Sequence, residues 1–180
     1  MSSENEKKMV GPKFITAELV SQVVDLVLNA IMFGDSPLCK LLKRQACHIV
    51  VLVPSMEDDR ATDYAKWPVY PIEPLAIYDR SFGDKEIWSA PYDDIARCKA
   101  LQLWGDRNDD RTDIMPHLLF SGDTPCWGGV KRHGIVVACS GVQSFFDKMI
   151  SGMIADAIAG FGYNAYEISQ DNKDNVNFLT

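Results

Sequence analysis

Long apolar runs and basic charge are both scarce in this sequence. No apolar run reaches about 18 residues, the length that a membrane-spanning helix needs, so we expect no membrane span. Lys and Arg number 18 against 25 Asp and Glu, which gives a formal net charge of -7. Because nucleic acids and anionic membrane surfaces are bound by basic faces, we expect neither as a partner. Residues 1–13 are polar and lack the apolar core of a secretory signal, so we expect a disordered arm there.

Motifs that identify a chemistry by themselves are also missing. The chain has no glycine fingerprint of a dinucleotide site and no phosphate-binding loop. Its five cysteines contain no C-x-x-C pair, and its three histidines show no metal-ligand spacing. We therefore predict no metal site from local spacing and leave the cofactor unknown. We interpret the cysteines as reduced thiols of a cytoplasmic protein.

The sequence contains several segments with the apolar period of a helix or a strand, enough to build one domain. A chain of 180 residues that is 47% hydrophobic can bury a sizeable core. The apolar spacing predicts a helix from Ala17 to Phe33 capped by Thr16, a short helix over 38–43, strands over 46–54 and 75–83, a helix from Tyr92 to Trp104 capped by Asp93 or Asp94, a hairpin over 129–141 and a last helix after Gly141. This order predicts an α+β domain over residues 14–168, with a central, mainly antiparallel sheet of about five strands flanked by N- and C-terminal helices.

Two segments do not follow a helical or strand period. Residues 55–74 are acidic and punctuated by proline, which predicts a long loop or insertion of a kind that is often functional. Residues 169–180 are polar, so we expect a flexible tail.

The stretch "PCWGGVKRHGIVVACSG", residues 125–141, contains more glycine than a plain hairpin needs. Interior glycines weaken strands, but they allow another group to approach the backbone closely. Trp127 offers a flat apolar face, and the amides at the start of the last helix can bind an anion. We therefore predict a pocket in this region. Its candidate ligand-binding residues are Cys126, Trp127, Gly128, Gly129 and Ser140.

Three further residues are candidates for catalysis. His117 lies in an irregular segment before the glycines, where a general base or a metal ligand is plausible. Lys99 shares a face of the 92–104 helix with Ala96 and Leu103. It is therefore either partly buried, where a lysine pairs with a carboxylate or loses its proton, or exposed as a surface lysine. Asp147 either stabilises the start of the last helix or pairs with Lys99 or a ligand. His48 is interpreted as a hydrogen-bonded core or interface histidine, and His133 as a solvated turn residue.

The order of these motifs resembles the GlcG/HbpS-like family, which includes the PduO C-terminal domain. The resemblance lies in the glycine pair, the hairpin ending in "IVVACSG", the helix with Asp147, and "DDIARCKALQLW" with its Lys99-Ala100 pair. It implies a profilin-like domain that forms homo-oligomers. It also implies a ligand such as haem, which some members of the family bind or degrade. The acidic segment 55–74 replaces a Gly-Gly turn that is common in the family.

The resemblance and the residues together leave three functions open. The first is a protein of the GlcG/HbpS type that binds a small organic ligand, either haem or another flat aromatic or tetrapyrrole molecule. The alternative is a cofactor-independent lyase, isomerase or hydrolase that acts on a small aromatic or oxygenated metabolite, with His117 as acid and base. The third is an interaction module without a ligand. The apolar last helix and the strand of His48 support a symmetric homo-oligomer.

Overall fold

The computed structural model describes residues 9–57, 71–108 and 115–179. The strands are β1 (Met9–Val10), β2 (Cys47–Glu57), β3 (Glu73–Phe82), β4 (Gly129–Arg132) and β5 (Ile135–Ser140). The α-helices are α1 (Ala17–Leu28), α2 (Tyr92–Trp104), α3 (Ser144–Glu167) and α4 (Gln170–Lys173). A π-helical segment, Asn29–Phe33, continues α1, and short 3-10 turns occupy Pro37–Leu41, Lys85–Ile87 and Pro116–Leu118. The predicted order of helices and strands is confirmed.

The five strands form one antiparallel sheet in which β2 is central. β2 pairs with β3 along one edge and with β5 along the other, and β5 pairs in turn with β4. The two residues of β1 pair with the end of β2. The predicted α+β fold, with a mainly antiparallel five-stranded sheet between N- and C-terminal helices, is confirmed.

Alternate residues of the sheet pack against different helices. One face of β2 carries Cys47, Ile49 and Val51, which belong to the main core with α1 and α3. The other face carries Val50 and Leu52, which pack against α2. This follows from the period of two in a strand, which sends successive side chains to opposite faces. The nearly continuous apolar run of β2 is therefore buried on both faces.

The predicted starts of α1 and α2 are confirmed, but the predicted cap of α2 is wrong. The Thr16 hydroxyl accepts a hydrogen bond from the amide of Leu19 at 3.1 Å. In α2 the N-cap residue is Pro91, which has no side chain that can accept such a bond. Asp93 and Asp94 lie instead in the first turn, where a carboxylate is favoured by the positive end of the helix dipole.

The two chain ends are more structured than the sequence indicated. Met9 and Val10 lie in the predicted arm but form β1. Residues 170–173 of the predicted tail form α4, where Asp171 is buried and pairs with Lys13. The predicted insertion over 55–74 begins and ends within β2 and β3, and its residues 58–70 lie outside the described part of the chain. No helix in the described ranges is long and apolar enough to cross a membrane.

Candidate functional site

Lys99 and Asp147 form a buried ion pair, here called the buried pair. Lys99 projects from α2 and Asp147 from the first turn of α3, and their side chains are 1% and 5% exposed. Nζ of Lys99 lies 3.4 Å from Oδ2 of Asp147 and donates a hydrogen bond to the Cys139 carbonyl at 2.9 Å. Of the alternatives for these two residues, pairing with each other is therefore the one observed.

Other groups of the protein surround the carboxylate of Asp147. Its Oδ1 accepts a hydrogen bond from the amide of Val142 at 3.1 Å and lies 3.5 Å from Sγ of Cys139. Burial raises the pKa of Asp147, and the Lys99 cation and the Val142 amide oppose that rise. Burial, together with the neighbouring Cys47, raises the pKa of the Cys139 thiol. The pair therefore resembles a structural element of the core more than an open catalytic site.

The glycine pair encloses the buried pair. Gly128 has φ of +124°, and a Cβ at this position would lie 2.6 Å from Cβ of Asp147. A Cβ on Gly129 would lie 2.5 Å from a methyl group of Leu103. The Gly128 carbonyl accepts a hydrogen bond from Ser151 at 3.1 Å. The predicted close approach to these glycines is present, and the groups that approach are protein atoms, so the ligand predicted there stays a prediction.

The other predicted site residues lie apart from the buried pair. His117 is exposed in its 3-10 turn, and Cys126 and Trp127 are half-buried. The amide of Cys126 donates to the Thr124 hydroxyl at 3.1 Å. Ser140 is buried within β5. Across residues 9–57, 71–108 and 115–179, no hydrogen bond or ion pair joins His117 to Lys99 or Asp147, so the structure does not assemble these three as a catalytic cluster.

An open groove of about 730 Å³ lies elsewhere on the molecule. It runs between the segment that follows β1, the second half of α3 and the end of β2 remote from His48. Its wall is mainly apolar and aromatic. The apolar and aromatic residues of the wall include Phe14, Ile15, Ile72, Ile135, Tyr163 and Tyr166. The rings of Phe14 and Tyr166 meet edge to face, with centroids 5.5 Å apart and planes at 73°.

Besides Tyr163 and Tyr166 with their hydroxyls, three side chains bring polar groups to this groove. The Ser55 hydroxyl donates to the Glu73 carbonyl at 3.0 Å, and Lys13 pairs with Asp171. His133 lines the groove from the β4–β5 turn, where its φ is +53°. His133 is exposed in this turn, as expected from the sequence, whereas the aromatic wall was not predicted. The spacing of Tyr163 and Tyr166, three residues apart on one helix face, was the available signal.

No protein-family model, curated protein or solved structure matches this chain. The resemblance to the GlcG/HbpS-like family and its haem ligand stays a prediction. Among the described residues, no group of three or more His, Cys, Asp or Glu side chains is arranged to hold a metal ion.

Proposed function

We propose that the protein binds a small, flat and mainly apolar organic molecule in the groove. The observation that carries this proposal is the volume of about 730 Å³ enclosed by apolar and aromatic side chains. Binding sites for small molecules usually measure about 300–1,000 Å³ and have mostly apolar walls with a few polar groups. The groove has this composition, whereas the buried pair is enclosed by the protein itself.

The aromatic wall favours a flat ligand. Phe14 and Tyr166 present ring faces and edges, against which a planar molecule stacks favourably. Haem belongs to this class of ligand. Haem iron is held in proteins by imidazole or by phenolate, and the groove offers His133, Tyr163 and Tyr166. The side chains present therefore fit haem, with His133 as the residue that would hold the iron.

A groove-filling substitution tests the proposal. Ala159 lies in the groove wall on α3, so Ala159→Phe places a ring inside the groove. Asn164→Phe adds the same ring to an exposed position of the same helix that does not line the groove. We expect Ala159→Phe to weaken binding of hemin and of an apolar fluorescent dye by at least about tenfold, or 1.4 kcal/mol, and Asn164→Phe to leave both unchanged.

The dye tests whether the groove binds a flat apolar molecule, and hemin tests whether that molecule is haem. Equal dye binding by wild type and Ala159→Phe would place the ligand site outside the groove. If His133→Ala abolishes the Soret shift of added hemin while dye binding persists, haem is ligated there. A Soret shift that survives His133→Ala would exclude the imidazole as the iron ligand.

A further inference from the structure

A serine, a histidine and an aspartate lie side by side on two neighbouring strands, far from the groove. Asp79 and Ser81 are alternate residues of β3 and therefore project from the same face. In the register of the sheet, His48 of β2 lies directly opposite Ser81. About seven residues of β2 separate His48 from Ser55 in the groove wall, which corresponds to about 23 Å of strand.

The side chains of these three residues are within bonding distance of one another. Nδ1 of His48 lies 2.8 Å from the Ser81 hydroxyl, and Nε2 lies 2.8 Å from Oδ1 of Asp79. Arg97 holds Asp79 from α2 through two hydrogen bonds, from Nε to Oδ2 at 2.8 Å and from Nη2 to Oδ1 at 2.9 Å. We call these four residues the Ser81 network.

We propose that Ser81 is a nucleophile for acyl transfer from small esters, with His48 as its general base and Asp79 as the residue that positions the imidazole. A hydroxyl bonded to an imidazole whose second nitrogen faces a carboxylate is the arrangement that activates serine nucleophiles. The two ring nitrogens of His48 exchange the roles that they have in the common serine hydrolases. Nδ1 is hydrogen-bonded to Ser81, whereas Nε2 lies 2.8 Å from Asp79 without the alignment of a hydrogen bond, so Asp79 acts on the ring through its charge.

The charges around His48 favour the form of the imidazole that accepts a proton. Burial lowers the pKa of His48 below its usual 6.5, and the Arg97 cation lowers it further, against the carboxylates of Asp79 and Asp93. The ring is therefore neutral at pH 7. Arg97 holds the pKa of Asp79 below its usual range, so the carboxylate stays ionised, and its charge beside Nε2 favours the tautomer that carries the proton on that nitrogen.

A substrate can reach Ser81, whereas His48 behind it is buried. His48 is 2% exposed, whereas Ser81 is half-buried and the side chain of Asp79 is 33% exposed. Among the described strands, only β2 pairs with β3, so no described strand occupies the other edge of β3. A small ester can approach the Ser81 hydroxyl from that edge while the imidazole behind it remains shielded from water.

The proposed reaction has two balanced steps. Oγ of Ser81 forms a bond to the ester carbonyl carbon while its proton passes to Nδ1 of His48. The bond from that carbon to the leaving oxygen breaks, and the leaving alcohol takes the proton from His48. Water then attacks the acyl-Ser81 ester, its proton passing through His48 to Oγ of Ser81, and a carboxylic acid is released.

The test uses the full chain with a fluorophosphonate probe and with p-nitrophenyl acetate. We expect mass spectrometry of digested protein to find the phosphonyl adduct on Ser81. Ser81→Ala and His48→Gln should each lower the rate of ester hydrolysis by about 100-fold or more, the usual effect of losing a nucleophile or its general base. Ser121→Ala, at an exposed serine outside the network, is the matched control and should keep the wild-type rate.

The positioning role of Asp79 is tested separately, by the pH dependence of the hydrolysis rate. Because Asp79 raises the pKa of His48 against Arg97 and burial, Asp79→Asn should move the midpoint of the pH–rate profile to lower pH. An unmoved midpoint would remove Asp79 from the proposal. Absence of an adduct on Ser81 in folded protein, or an equal adduct yield in His48→Gln, would overturn the proposal. Should His48→Gln fail to fold, Ser81→Ala with an unchanged melting temperature still decides the outcome.

Discussion

Arg97 and Lys99 are two residues apart on α2, yet they enter two contrasting environments. Side chains two apart on a helix point to different sides. Lys99 points inward and is 1% exposed beside a 5% exposed Asp147. Arg97 points outward and is 46% exposed beside a 33% exposed Asp79. The same two charge types therefore form a sealed pair on one side of the helix and an open network on the other.

The difference in burial separates a structural role from a chemical one. The buried pair has Gly128, Val142 and Cys139 packed around it, which accounts for its nearly complete burial. The Ser81 network places a half-buried hydroxyl on β3 in front of a buried, neutral imidazole on β2. A buried charge has a large effect on stability when its partner is lost, whereas an exposed pair has a small one.

The largest expected effect is the difference in stability between variants that lack Lys99 and variants that lack Arg97. Lys99→Met leaves the Asp147 carboxylate buried without its partner, so we expect the free energy of unfolding to fall by about 3–5 kcal/mol. Arg97→Met breaks a pair that solvent screens, with an expected loss of about 1 kcal/mol or less. Urea unfolding of both variants measures the two losses. Similar losses of unfolding free energy in the two variants would contradict a buried Lys99 pair and a solvent-screened Arg97 pair.

A smaller effect is expected from closing the space beside Asp147. Gly128→Ala requires a left-handed backbone and places Cβ 2.6 Å from Cβ of Asp147. Gly134→Ala, at φ of +78°, adds a Cβ that meets nothing within 4 Å. Both variants bear the backbone cost of about 1–2 kcal/mol, and Gly128→Ala bears about 1–3 kcal/mol more from overpacking. Thermal unfolding compares the two, and equal shifts in melting temperature would contradict a tightly packed glycine.

The smallest expected effect is a difference in how two carboxylates respond to acid. The pKa of Asp79 is lowered, so its contribution to stability is present above the ordinary 3.8 and is lost as pH falls through the folded value. The pKa of Asp147 is raised, so its contribution is present below 3.8 and is lost as pH rises through the folded value.

Denaturant unfolding between about pH 3 and pH 7 measures this difference in Asp79→Asn and Asp147→Asn. The stability of wild type relative to Asp79→Asn should shrink toward the acid end. Its stability relative to Asp147→Asn should grow in the same direction. Slopes of the same sign in the two comparisons would contradict the assignment of one open and one buried carboxylate.

Local pattern predicted much of the secondary structure and one part of the site. The helix over Tyr92–Trp104 and the Thr16 cap are observed as the spacing predicts. The partial burial predicted for Lys99 came from its place on a helix face between apolar residues, and a carboxylate partner was the alternative observed. His117 was chosen because it lies in a loop, and position in a loop does not determine which residues a side chain meets.

The sequence by itself determined the order of helices and strands, because apolar period, capping residues and chain breakers act over a few neighbouring positions. Only the tertiary structure decided which residues meet across long separations. The register of β2 against β3 places His48 opposite Ser81, and a shift of one residue would turn His48 to the other face. The groove likewise needs Phe14 and Tyr166 to come together, and no local pattern specifies a contact between residues so far apart in the chain.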